Sequence, residues 1–131
     1  MVLDHIGIAV ASLDERLAFY RALGLEVSAV EEVPSERVRV AFLPLEGTNL
    51  ELLEATGPES PIAAFIAKRG EGMHHICFRV ADIRSAMAGL KAGGFDLLGD
   101  EPRRGAHGRL VCFVRPRSAG GVLVELSQPG R

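Results

Sequence analysis

The chain has 131 residues, 47% hydrophobic and 24% charged, with a formal net charge of −2. That length accommodates a single domain of typical size, about 100 to 200 residues, and the composition is that of a globular chain rather than a disordered one. Positive charge is not gathered into a stripe that would neutralise a phosphate backbone, which argues against nucleic acid as a partner.

Met1 to His5 is not a basic region leading into a long apolar segment. No apolar run approaches the roughly 20 residues that cross a bilayer, so the expected setting is cytoplasmic, without membrane contact. The first predicted strand, Leu3 to Val10, alternates apolar residues and is followed by a helix with Ser12 as its cap. Glu15, three residues after Ser12, has the spacing of a capping box. Leu13, Leu17 and Tyr20 place one apolar stripe on that helix, and Gly24 ends it. Three short strands are predicted next, over Leu25 to Val30, Val38 to Leu45 and Asn49 to Glu54. Ser60 and Pro61 then open a short linking helix over Pro61 to Lys68.

The same grammar then repeats. The segment from His5 to Leu25 aligns without a gap on that from His75 to Phe95, pairing His5 with His75, Ile6 with Ile76, Val10 with Val80, Ala11 with Ala81 and Gly24 with Gly94. The second copy has a strand over Met73 to Val80, a helix capped by Asp82 with an apolar stripe of Ile83, Met87 and Leu90, and a Gly93-Gly94 stop. Strands over Asp96 to Leu98, Leu110 to Val114 and Val122 to Leu126 complete it. The expected fold is α+β, two tandem βαβββ modules forming a curved mixed sheet around a metal site. A single domain over 1–131 is divided into module one at about 1–56, a linking helix at about 60–69 and module two at about 72–128. Neither half carries enough apolar surface to stand alone comfortably.

Each module's last strand holds one carboxylate in an apolar run, Glu51 in the first and Glu125 in the second. An ionised carboxylate on an apolar strand is costly unless paired or metal-bound. With His5 and His75, equivalent by the repeat, the chain offers two imidazoles and two carboxylates in a near two-fold arrangement. This set suits Mn, Co, Ni, Zn or Fe(II) and does not choose among them. His74 is expected on the opposite strand face from His75, and Glu54, three residues after Glu51, is expected in solvent. His107 lies between glycines in Gly105-Ala106-His107-Gly108, where a backbone can approach a ligand closely. Arg103-Arg104 and Arg115-Pro116-Arg117-Ser118 are short basic loops able to hold carboxylate or phosphate groups. Cys77 and Cys112, each inside an apolar run and without zinc spacing, read as buried thiols.

On the stretches Asp4 to Val10, Val38 to Val80 and Glu101 to Gln128, the chain resembles the vicinal oxygen chelate superfamily and, within it, the methylmalonyl-CoA epimerase family. ESPIA, GEGMHHI and the block from GAHG to GGVLVEL carry the narrower resemblance. The resemblance implies one divalent metal ion per chain, Co, Mn, Ni, Zn or Mg, held by His5, Glu51, His75 and Glu125. It implies interconversion of the (2R) and (2S) forms of a CoA thioester by removal and return of an α-proton through a metal-stabilised enolate, and a homodimer. Glu125 is then one acid/base residue, and Glu51 or a metal-bound water is left for the other. His107, Arg115, Arg117 and Ser118 are expected to contact substrate. Two positions depart from the family pattern: Val40 stands where a family glutamate serves the opposite substrate face, and Arg115-Pro116-Arg117 stands where His-Pro-Lys is common.

Competing functions remain on the same fold. A lactoylglutathione lyase-like isomerase would use a similar ligand set on glutathione adducts. An extradiol dioxygenase needs only two histidines and one carboxylate, which Glu51 argues against. A metal-free small-molecule-binding protein would have no use for four ligands.

Overall fold

Helix starts and stops are determined by local chemistry, twice over. In the computed structural model, which describes residues 1–130, Ser12 Oγ accepts from Glu15 N at 3.3 Å and begins α1 (Leu13–Ala22). Asp82 Oδ1 accepts from Ser85 N at 3.1 Å and begins α3 (Ile83–Ala92). Both helices end in the same motif. Leu25 N donates to Tyr20 O and Gly24 N to Arg21 O, and Phe95 N donates to Leu90 O and Gly94 N to Lys91 O. Gly24 and Gly94 take φ of 99° and 83°, a conformation costly for any residue with a Cβ. Between them, Ser60 Oγ accepts from Ile62 N and starts α2 (Pro61–Arg69) with Pro at its first position.

Residues His5–His74 form one compact unit, and Met1–Asp4 with the chain from His75 form the other. In the first, β2 (Ala29–Val33), β3 (Val38–Pro44), β4 (Asn49–Ala55) and, from His5 onward, β1 (Val2–Ala9) follow one another in the order β2-β3-β4-β1. β1 runs parallel to β4, with Gly7 opposite Glu51, while β3 is antiparallel to β4 and β2 to β3. The second unit repeats this with β5 (Gly72–Arg79), β8 (Val124–Gln128), β7 (Leu110–Val114) and β6 (Leu97–Arg104), in the order β5-β8-β7-β6. There β5 is parallel to β8, with Cys77 opposite Glu125, and the other pairs are antiparallel. The two βαβββ modules and the α+β class are as expected.

Each unit has its own core on one sheet face. Ala41, Leu43, Leu52 and Val10 pack on Leu13 and Leu17 of α1. Cys112 and Leu126 pack on Ile83 and Met87 of α3. Since strand residues alternate faces, this fixes the opposite, helix-distal face. It carries His5, Val40, Phe42, Glu51 and Leu53 in the first unit, and His75, Cys77, Phe113 and Glu125 in the second.

Two strands differ from the pattern read in the sequence. β2 begins at Ala29 rather than Leu25, because Leu25 and Val27 pack against the α1 core as irregular chain and pairing with β3 starts only at Ser28 N, which donates to Phe42 O. β6 continues through Arg104 instead of ending at Leu98. It ends its sheet in the strand order, is mostly exposed, and has a register shift between Leu98 and Arg103, so no apolar alternation marks it. Among the described residues, no helix is long and apolar enough to cross a membrane.

Glu54 does not stand free in solvent. Its Oε2 accepts from Leu13 N at 3.1 Å, at the start of α1, and its Oε1 accepts from Arg39. Gln128, three residues after Glu125, repeats the contact: its Oε1 accepts from Ile83 N at 2.9 Å, at the start of α3. Removing either acceptor by Glu54→Ala or Gln128→Ala is expected to lower stability by about 1 kcal/mol in urea denaturation, the usual magnitude for a lost helix cap.

Glu71, just beyond α2, ties that segment to α1. It accepts from Ala11 N at 3.0 Å and from the Arg16 guanidinium at 2.9 Å on both oxygens. The Arg16 hydrogen bonds, then the Ala11 amide, hold its carboxyl below the ordinary 4.5. A carboxyl lowered in the folded state stabilises the protein above its ordinary value, and this contribution fades as pH falls through the folded value. Glu71→Gln is therefore expected to lower the thermal midpoint at pH 7 and to match the parent chain in strong acid, as calorimetry at several pH values would show.

Candidate metal and substrate site

The four residues expected to bind metal come together as two buried pairs, one in each unit. His5 Nδ1 lies 3.0 Å from Glu51 Oε2, with the side chains 1% and 6% exposed. His75 Nε2 lies 3.0 Å from Glu125 Oε1, at 6% and 8%. The parallel strand pairs produce both contacts: β1 beside β4 sets His5 and Glu51 on the helix-distal face, and β5 beside β8 does the same for His75 and Glu125. Phe113, opposite Glu125 in register, also meets the His75 ring edge-on at 6.1 Å.

The donor chemistry of these pairs fits a divalent cation. Imidazole nitrogen and carboxylate oxygen are ordinary ligands for first-row divalent metals, and a buried carboxylate needs a positive partner to offset its desolvation. The thiols are different in kind. Both cysteines are buried and neither is in a disulfide, and burial, followed by the nearby Glu125 charge, pushes Cys112 up to about 11, so it is a neutral thiol at pH 7. His74 points away from His75 and meets Phe65 of α2 edge-on at 4.9 Å, in keeping with its expected opposite face.

The expected substrate contacts are arranged less simply. Arg115 Nε and Arg117 NH2 both reach Asp96 Oδ2, at 3.1 and 2.6 Å, and Ser118 Oγ accepts from Asp96 N at 3.0 Å. These residues gather around the start of β6, where Asp96, Leu98, Arg115, Pro116 and Arg117 line an open cleft of about 500 Å³. His107 is exposed, in the left-handed region at φ 57°. Arg104 donates to Gly108 O at 3.4 Å, closing the same loop.

Asp4 is a buried charge that the sequence reading did not single out. Its Oδ1 accepts from Arg79 Nε and NH2 at 3.0 and 2.9 Å, and its Oδ2 from Arg109 NH1 at 2.7 Å. Arg109 also donates to Ala106 O at 3.2 Å, so one guanidinium joins the residue preceding His5 to the His107 loop. An acid beside His5 in an otherwise apolar first strand was the available signal.

The sequence matches the glyoxalase/bleomycin resistance protein/dioxygenase superfamily over residues 4–113. The chain belongs to this superfamily. Superfamily relatives include the ethylmalonyl-CoA/methylmalonyl-CoA epimerase of Cereibacter sphaeroides, 46% identical over 129 residues and 96% of each chain. The mitochondrial methylmalonyl-CoA epimerase of Homo sapiens is 44% identical over 128 residues, 96% of this chain and 73% of that one. Among solved structures, a variant of the Streptomyces coelicolor methylmalonyl-CoA epimerase in complex with 2-nitronate-propionyl-CoA superposes with a TM-score of 0.93 at 40% identity, covering 100% of this chain and 99% of that one.

Burial separates the two arginines on Asp4. Arg109 is 13% exposed and Arg79 44%. Asp4→Asn takes the charge from a buried carboxylate and leaves the half-buried Arg109 guanidinium without it, and is expected to cost about 3 kcal/mol. Arg79→Met removes a partner already screened by water and is expected to cost less than about 1 kcal/mol. Urea denaturation of the two variants checks the order.

Proposed function

We propose that this chain is a methylmalonyl-CoA epimerase that interconverts the (2R) and (2S) substrate, with His5, Glu51, His75 and Glu125 as ligands of one divalent cation. The observation that carries the reading is the duplicated His–Glu pair, buried at repeat-equivalent strand positions, in a chain similar over its full length to epimerases of this substrate. We place the protein in the cytoplasm as a homodimer, with both modules forming one domain.

The α-proton of a thioester is weakly acidic, and its removal sends an electron pair onto the thioester oxygen. A bound cation would supply Lewis-acid stabilisation of that developing charge. Glu125 takes the C2 proton on one face and returns one there in the reverse direction, as a positioned general base and acid. Phe113, beside Glu125 and His75, limits water around this carboxylate. Glu51 holds the cation with His5. His107, Arg115, Arg117 and Ser118 contact the acyl-CoA, the arginines offering the charge that its carboxylate and phosphates require.

Proton NMR of methylmalonyl-CoA in D2O tests the reading. Metal-loaded protein is expected to erase the C2 proton signal, chelator-treated protein to leave it, and Glu125→Gln to slow the loss by about 100-fold or more. Persistence of the signal with Co, Mn, Ni, Zn and Mg alike overturns it, and a glutathione adduct of an α-keto aldehyde becomes the next substrate to try.

A further inference from the structure

We propose that Arg109 is a positioning residue for substrate: it holds the 105–109 loop so that His107 presents its imidazole to an anionic oxygen of the acyl-CoA. This rests on the epimerase reading and on the substrate contact that reading gives to His107. All the residues that carry it belong to one unit, the chain from His75 together with Met1–Asp4.

The loop is seated on the face that carries Glu125. Val111 and Phe113 lie two residues apart on β7 and therefore on one face. Phe113 is opposite Glu125, while Val111 is opposite Ser127, which in turn is opposite Arg79. The row of Arg79, Ser127 and Val111 is thus one two-residue step, about 6.8 Å, from the row that contains Glu125. Gly105 rests on that row: a Cβ there would stand 3.1 Å from Val111 Cγ1, tighter than ordinary contact. Val111 and Ser127 are both buried. The turn that leads to His107 therefore begins over the Glu125 face, one row further along β8.

The loop is also held in a conformation that its own sequence does not favour. His107 takes φ 57° and ψ 29°, the left-handed region, which is costly for a residue with a Cβ and which Gly108 beside it adopts freely at φ 67°. Strain of this kind persists only where the surroundings over-determine it, and it gathers at ligand contacts. Here the surroundings are specific. Gly105 N donates to Arg109 O at 2.8 Å and Arg109 N to Ala106 O at 3.2 Å, closing the turn. The Arg109 guanidinium adds a second bond to Ala106 O at 3.2 Å and one to Asp4 at 2.7 Å. Behind the loop, Gly130 comes so close that a Cβ on it would stand 2.5 Å from Gly108 O. Ala106 is buried and His107, the next residue, is exposed. The buried charge of Asp4 thus fixes the backbone one residue before an exposed imidazole. Arg109 itself is 13% exposed and bonded to Asp4 and Ala106, so it acts through the loop rather than on substrate. A lysine there would keep a charge beside Asp4 but lacks the planar fork that reaches Ala106 O as well.

The test is a double-mutant cycle of Arg109→Lys and His107→Ala, with kcat and KM for methylmalonyl-CoA measured on metal-loaded protein and a urea midpoint for each variant. His107→Ala should raise KM about tenfold and change kcat by less than about twofold, the signature of binding lost equally from ground and transition states. Arg109→Lys should raise KM about threefold or more with the same small change in kcat. The double variant should match His107→Ala alone, because the clamp has nothing left to position. Calorimetry with propionyl-CoA identifies the oxygen: parental affinity in both single variants assigns the imidazole to the substrate's carboxylate, and parallel loss assigns it to the phosphates. An unchanged KM in either single variant overturns the proposal. So do KM effects that multiply in the double variant, or an Arg109→Lys protein whose kcat falls together with its urea midpoint, which marks a purely structural role. A parent chain that does not turn over methylmalonyl-CoA overturns the epimerase reading instead.

Discussion

The structure depends on placing an ionisable carboxylate inside an apolar strand and giving it a histidine. Each of Glu51 and Glu125 is flanked by residues that belong in a core, yet its own side chain is buried beside imidazole nitrogen. That contact is possible because the first and last strands of a module are parallel neighbours, which antiparallel hairpins alone do not produce. The chain must leave the first strand, pass through a helix and two further strands, and return beside its starting point. Helix capping, the glycine stops and the apolar stripes of α1 and α3 are the local devices that make this return reproducible.

Charge elsewhere is arranged by the same rule that burial sets its value. The ion pairs on the outer surface, such as Arg37 with Glu59, are screened by water and add little. Asp4 differs because it is almost wholly buried and has two guanidinium partners, the nearer of them half-buried. Its link through Arg109 to Ala106 makes the backbone of the His107 loop part of the same ionic cluster. Around Asp96 the sign is reversed: two arginines share one acid and leave net positive charge at an open cleft.

The parts of this arrangement governed by local periodicity were legible in the sequence. The repeat, the two helices with their caps and stops, and the carboxylates interrupting apolar runs at Glu51 and Glu125 all leave patterns within a few residues. The parts governed by distant partners did not. β6 is an edge strand joined by backbone hydrogen bonds, so Gly99 to Arg104 needed no apolar alternation and showed none. Glu54 looked solvated because its partner, Leu13 N, is far away in sequence, and Gln128 was invisible for the same reason. Asp4, Arg79 and Arg109 form one ionic cluster from three separated segments, and no spacing rule joins them. β2 was misplaced because its paired acids, Glu31 and Glu32, resemble a loop until register assigns them to different faces.

The placement of Glu54 and Gln128 gives each module a form of proofreading. On β4 and again on β8, one strand carries the buried carboxylate on one face and, three residues later on the other, the acceptor for the first amide of the module's helix. A slip of one residue in that strand would move every side chain to the wrong face, withdrawing the carboxylate from its histidine and the acceptor from its helix together. A mispaired strand thus forfeits two remote contacts at once, and errors of register are penalised cooperatively rather than one contact at a time. A module duplicated as a whole inherits this check intact, so each copy can diverge in its loops while the spacing of its ligands stays guarded by the helix it caps.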